Sequence, residues 1–292
     1  MGNDVNVFKV KVINFQKIES KPDVFTVEYD GRAITTSVLH ILSVGINKYQ
    51  NEDYSLHYAQ PDAKAFADKI IEKSGGIFKS INHVEVYDEH ATKENIVNGF
   101  NSIIARAKPE DMFLFYYAGH GVLDEDSPEN EYYFVPSDVL KLYGDPGQLA
   151  KKAISASELK SYLVQVKSQK QLILMDACHS GGAMKWLRTR AAGMDEKAIK
   201  QLARASGVAI MASSGTKQLS TEFEALKHGV FTYALLEALD GKADNGDKQI
   251  TVYELKTYMN ERVPELSKQY GGKAQSPTYH FDGDDFPISV YE

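Results

Sequence analysis

Five short apolar runs, separated by stretches of helical period, restrict this chain to one class of fold more tightly than any other feature of its sequence. "VLHILSVGI" (38 to 46) is almost continuously apolar, as a strand buried on both faces must be. "HVEVY" (83 to 87), "MFLFYY" (112 to 117), "KQLILM" (170 to 175) and "GVAIMAS" (207 to 213) follow it. Between the first two runs, "PDAKAFADKIIEKSGG" opens at Pro61 and closes at Gly75-Gly76, with Ala63, Phe66, Ala67, Ile70 and Ile71 at helical spacing. Further helices are expected from Thr92, as cap, to about 107 and in "ISASELKSYLVQV", "GVFTYALLEAL" and "TVYELKTYMNERV". "EYYFVP" and "SPTYHF" read as short extended pieces. This alternation predicts an α/β fold built on a mostly parallel sheet.

The front of the chain reads differently. "VNVFKVKVI" (5 to 13) and "DVFTVEY" (23 to 29) are β-rich with polar interruptions, and Asp30-Gly31 is a turn signal. Residues 1–35 are therefore expected to form a small N-terminal β segment, or the end of an upstream module, and 36–292 the main domain.

Composition narrows the partners. With 33 basic against 40 acidic residues the net charge is −7, which gives no global field favouring nucleic acid or an anionic membrane. No apolar stretch approaches the roughly 18 to 20 residues that cross a bilayer. One cysteine cannot form an intramolecular disulfide, and "MGNDVNVFKVKVINF" lacks a signal-peptide pattern, so a cytoplasmic location is expected.

That one cysteine, Cys178, stands in "LILMDACHSGG", where an apolar strand runs out into a polar, glycine-flanked segment. "MFLFYY" runs out likewise into Ala118-Gly119-His120-Gly121. Side chains at the carboxyl ends of strands in an open parallel sheet collect at the functional edge. If the two strands are neighbours, a thiol and an imidazole meet there as nucleophile and proton acceptor. The flanking glycines allow sharp turns and leave room beside the thiol, and the N–H groups of Gly121 and Cys178 are candidates for stabilising an oxyanion. Asp176, two positions before Cys178, points to the same side of its strand.

"YYAGHG" followed by "DACHSGG" resembles the caspase and metacaspase peptidases, especially their bacterial relatives, with a histidine about 50 residues upstream of the cysteine as in the caspase signature. The resemblance continues through "GINKY", "LHYAQPDAKAF", "YYFVPSD", "MASS" and "HGVFTYALLEAL" and leaves out residues 1 to about 35. It implies a caspase-like three-layer sandwich and a cysteine endopeptidase in which His120 is the general base and Cys178 forms an acyl-enzyme. It also implies that Asp62 and Asp176 line an acidic pocket for arginine or lysine on the acyl side of the cut bond. Glu222 falls roughly where caspases supply a pocket arginine. Ser213 and Ser214, at the end of "GVAIMASS", are candidates either to bond substrate backbone or to cap a turn. His179 matches the second histidine of the metacaspase "CHSG" and is expected to orient its loop. Self-cleavage after Arg188 or Arg190 is the further implication, in the basic segment "KWLRTRAAGMDEKAIKQLARAS". Bacterial relatives are often fused to sensor domains, which implies an upstream sensor or partner protein.

Other residues carry less. His57, His83, His90, His228 and His280 show no metal-ligand spacing, so no metal catalysis is expected. No cofactor is required by the chemistry; calcium activation is implied only by resemblance, through Asp124, Asp126, Glu129 and Glu131 in a loop without EF-hand spacing. "DNGDKQIT" near 244 is read as a turn between two helices, and Tyr116 and Tyr117 as sheet core. The alternatives to a basic-specific peptidase are a related protease of other preference, or an interaction scaffold that keeps the fold; a scaffold has no reason to retain both His120 and Cys178.

Overall fold

The computed structural model describes residues 4–29, 36–124, 131–142, 146–177, 207–213, 222–271 and 274–290. The chain divides into two compact units, Met1–Thr35 and Thr36–Glu292. In the first, β1 (Asp4–Val10) and β2 (Asp23–Tyr29) pair antiparallel, with Phe8 opposite Phe25 and their rings stacked 5.1 Å apart.

The second unit is a sheet between two helical layers. Its strands are β3 (Val38–Gly45), β4 (Ser80–Tyr87), β5 (Met112–Gly119), β9 (Lys170–Ala177), β10 (Gly207–Ala212) and β14 (Thr278–Gly283), in the spatial order β14-β10-β9-β5-β3-β4. All neighbours are parallel except β14, which runs antiparallel on β10. The five apolar runs are the five parallel strands. All eight residues of β5 are buried, the consequence of a central strand covered on both faces.

Alternation along the strands sorts the core. Phe113, Phe115, Tyr117, Ile173 and Met175 face α2 (Lys93–Ile104) and α4 (Ala156–Gln165). Leu114, Tyr116, Leu172 and Leu174 face α1 (Ala59–Lys73), α5 (Val230–Glu237) and α6 (Val252–Gly271). Phe66 of α1 stacks on Tyr116 at 4.9 Å. Fully burying side chains of this size contributes about 1.5–3 kcal/mol each, which is what fixes the layers.

Local signals set the helix starts. Thr92 accepts from Asn95 N–H to open α2, and Ser155 and Glu158 form a reciprocal capping box at α4. For α1, Asn47 Oδ1 accepts the Gln60 N–H at 3.0 Å, so the loop after β3 itself caps the helix. A Cβ on Gly45 would fall 2.6 Å from Ala63 Cβ and 2.7 Å from Ala59 O, so glycine is what lets the first turn of α1 sit against the end of β3. Asp62 is in that turn.

Some boundaries differ from the sequence expectation. Helix α6 does not stop before Pro264 but continues to Gly271, since burying Val263 and Leu266 offsets the proline's missing hydrogen bond. The turn at 244–248 leads into a short strand, β13 (Gln249–Thr251), paired with β15 (Pro287–Val290), rather than directly into a helix. A small sheet of β6 (Gly121–Asp124), β7 (Glu131–Phe134) and β8 (Ile154–Ser155) follows β5. Among the described residues, no helix is long and apolar enough to cross a membrane.

Candidate active site

Strands β5 and β9 are in parallel register with Ala118 beside Asp176 and Gly119 beside Ala177. In the sequence, His120 follows the last residue of β5 and Cys178 the last residue of β9. Cys178 and His179 lie outside the described residues, as do Ser214, Arg188 and Arg190.

His120 is held at every polar atom of its backbone and at one ring nitrogen. Its N–H donates to Tyr49 Oη at 2.8 Å, and its carbonyl accepts from Tyr117 Oη at 2.8 Å and from Val135 N–H at 3.1 Å. The ring packs against Tyr49, with centroids 5.0 Å apart, and Tyr54 at 6.1 Å. Its Nε2 lies 2.7 Å from the Tyr54 carbonyl oxygen. A carbonyl can only accept, so Nε2 carries the hydrogen and, in the neutral ring, Nδ1 is the basic nitrogen. A Cβ on Gly119 would come within 2.8 Å of the Tyr49 hydroxyl and 3.1 Å of that of Tyr117, so only glycine allows this clamp to close. Replacing Tyr49 by phenylalanine leaves the His120 N–H without its acceptor; a loss of about 1–3 kcal/mol in urea unfolding is expected.

On the other helical face two carboxylates meet one turn. Strands β11 (Glu222–Phe223) and β12 (His228–Gly229) form a two-residue ladder in front of α5, with Glu222 opposite Gly229. Asp62, 2% exposed, accepts from His228 Nδ1 on Oδ1 in a short contact and from Gly229 N–H on Oδ2 at 2.9 Å. Asp176, 7% exposed, accepts from Thr232 Oγ1 on Oδ2 at 2.8 Å. Thr232 has one hydroxyl hydrogen and gives it to Asp176, so the Tyr116 hydroxyl, 2.5 Å away, donates to Thr232. Tyr116 is thus core by packing and part of the site by hydrogen bonding. A Cβ on Gly229 would stand 3.0 Å from Asp176 Oδ2 and 3.1 Å from Asp62 Oδ2, so both carboxylates crowd the same backbone atom.

Burial raises the Asp62 carboxyl to about 7; the His228 hydrogen bond opposes this, the charge of Asp176 adds to it, and the Gly229 N–H again opposes it. Burial and the charges of Asp176 and Asp62 hold the Tyr116 phenol in its neutral form. Two carboxylates thus crowd one turn, with the imidazole of His228 bonded to one of them.

The remaining candidates divide. Ser213 is fully buried at the end of β10, and its hydroxyl donates to the Ala177 carbonyl at 3.4 Å. Gly121 begins β6, directly after His120. The backbone of Glu222 pairs with Gly229, and its side chain lies outside the described residues. Asp124 and Glu131 face each other at the loop end of the β6–β7 hairpin, and Glu131 accepts from the N–H and hydroxyl of Ser157; Asp126 and Glu129 lie outside the described residues. Among the described residues, Asp244, Asp247 and Glu254 are close enough together to hold a cation. Their oxygens already accept the N–H groups of Asn245, Gly246, Lys248 and Thr251, which accounts for the cluster as a turn. Sequence reasoning missed Tyr49, Tyr54, His228 and Thr232. The "GINKY" and "HGVFT" segments that contain three of them were the available signal.

A family model described as the caspase domain matches residues 40–284. The chain is 26% identical over 236 residues to a probable protease of a Desulfuromonadales bacterium, covering 75% of this chain and 27% of that protein. It is 28% identical over 154 residues to metacaspase-1A of Neurospora crassa, covering 49% of this chain and 32% of that one. Metacaspase-1 of Schizosaccharomyces pombe is 26% identical over 151 residues, 49% of this chain and 34% of its own. The chain thus spans about a third or less of the length of these relatives. A solved structure from Geobacter sulfurreducens matches with a TM-score of 0.55 over 84% of this chain and 94% of that chain at 17% identity, a likeness of fold.

Proposed function

The chain belongs to the caspase domain family, and from that premise we propose that it is a cysteine endopeptidase that cuts after arginine or lysine. The observation that carries this reading is the β5–β9 register, which brings the two strands to their ends side by side with His120 and Cys178 as the next residues. Strands that exit together deliver their following residues to one edge of the sheet, where a thiol and a base can act as a pair.

The chemistry proceeds from the tautomer of His120. Nδ1 takes the thiol proton of Cys178, and the Nε2–H bond to the Tyr54 carbonyl strengthens as the ring becomes cationic. The thiolate attacks the scissile carbonyl carbon, and the N–H groups of Gly121 and Cys178 receive the oxyanion. Nδ1–H then protonates the departing amine, leaving an acyl-enzyme. Water, deprotonated by Nδ1, attacks the thioester, and the thiol regains its proton as the carboxylic acid leaves. Asp62 and Asp176 receive the basic side chain, with Glu222 as a further substrate contact and Ser213 supporting the end of β9 through the Ala177 carbonyl.

A fluorogenic peptide panel varying the residue before the scissile bond, run with and without calcium, tests the reading. Hydrolysis after arginine and lysine is expected; robust cleavage after aspartate with none after arginine would overturn it. Arg188 and Arg190 then become targets in cis, because a segment of the same chain is presented at high effective concentration. Intact-mass analysis is expected to show cleavage after one of them in wild type and none in Cys178→Ala; a wild-type chain that stays whole while hydrolysing peptides removes self-processing from the scheme.

A further inference from the structure

Asp62 belongs to α1, yet both of its oxygens are bonded by consecutive residues of β12, 166 residues further along the chain. Two donors on two oxygens fix the plane of a carboxylate as well as its position. One of them, the Gly229 N–H, is backbone and is set by the fold. The other, His228 Nδ1, is the side-chain contribution, and none of the bond-breaking steps uses it. The histidine side chain is 23% exposed where that of Asp62 is 3%, so it is the member of the pair that solvent and ligands reach first.

We propose that His228 is a positioning residue for the recognition of the basic side chain, holding Asp62 in the orientation and the ionised form that a substrate cation needs. The inference rests on the reading of Asp62 and Asp176 as the receiving pocket. A carboxylic acid is a poor receptor for a guanidinium, and two influences here favour the acid: burial of Asp62 and the like charge of Asp176. The His228 hydrogen bond is the largest of the three influences that oppose them. Among the described residues, the titratable groups facing Asp62 are Asp176 on β9, Tyr116 on β5 and His228 on β12. Of these only His228 supplies Asp62 with a hydrogen bond. Without it Asp62 is freer to turn and closer to neutral at pH 7, and both changes weaken cation binding.

Agmatine, which carries the arginine side chain and cannot be cleaved, separates this role from catalysis. Titration calorimetry on the full chain at pH 7 is expected to show His228→Ala binding agmatine about tenfold more weakly than wild type. At pH 9, where Asp62 ionises unaided, most of that loss should vanish. His228→Asn, whose amide offers a donor close to the position of Nδ1, should stay within about threefold of wild type at both pH values. Should His228→Ala fail to unfold cooperatively, His228→Leu, which keeps the bulk of the ring without a donor, must show the same loss at pH 7 and recovery at pH 9. Binding by either donorless variant as tight as or tighter than wild type at pH 7 would overturn the proposal, since the histidine would then be neutral to the cation or compete with it. An equal loss at both pH values would also overturn it, by reducing the role to packing. Equal binding by wild type and Asp62→Asn would instead sink the pocket reading itself.

Discussion

Replacing His120 by alanine is expected to lower kcat for peptide hydrolysis by about 10²- to 10⁴-fold, the usual contribution of a positioned general base. A cysteine thiol without such a base is only a few per cent thiolate at neutral pH. KM should change little, because His120 is bound to Tyr54, Tyr49 and Tyr117 rather than to the carboxylate pocket. Cys178→Ala should abolish turnover altogether, a methyl group having no lone pair to attack with. Stopped-flow and steady-state kinetics on the two variants, with circular dichroism to confirm folding, check both. Residual turnover in Cys178→Ala above a small fraction of wild type would show that another group attacks. A His179→Ala variant slower than His120→Ala would show that the base has been misplaced.

The role proposed for His120 follows from its support. A base must be in one place, in one tautomer, before the substrate arrives. Three tyrosines from two segments do this for His120: Tyr49 and Tyr54 from the loop after β3, and Tyr117 from β5, two residues before Gly119. All three contacts involve the backbone on one side or the other, so the arrangement depends on the fold more than on the identity of neighbouring side chains. That is why the sequence shows His120 as a candidate but not what makes it one.

The same contrast runs through the whole chain. The parallel strands were legible because a strand covered on both faces must be apolar along its length, and β5 is buried at all eight positions. Asp62 and Asp176 were legible as a pair only through family resemblance; their partners, His228 and Gly229 for the first and Thr232 for the second, are far away in sequence, and nothing in local pattern joins them. Strands of two to four residues, such as β6, β12, β13 and β15, are too short to express a period, so they passed unseen or were read as turns. At Pro264 local propensity and packing disagree, and packing decides: α6 keeps Val263 and Leu266 against the sheet and continues.

The second large effect concerns selectivity. Each of Asp62→Asn and Asp176→Asn is expected to reduce kcat/KM for an arginine peptide by about 10- to 100-fold, since a hydrogen bond to a charged group contributes about 1.5–3 kcal/mol and 1.4 kcal/mol is a factor of ten. The matching citrulline peptide, equal in shape and uncharged, should lose far less, and the ratio between the two cancels the titration of the dyad. That ratio should rise with pH through about 7 in wild type, because the Asp62 carboxyl is raised to about 7 and only its ionised form binds a cation well. In Asp62→Asn the rise should disappear. Stability should move the other way. A carboxyl raised in the folded state above its ordinary value of 3.8 stabilises the fold fully at pH below 3.8 and progressively less as pH climbs to about 7. Thermal unfolding of wild type should therefore fall relative to Asp62→Asn across that window and level off above it. An arginine-to-citrulline ratio that is flat with pH in wild type, or unchanged by either substitution, would mean that these carboxylates hold α1, α5 and β9 together without reading the substrate.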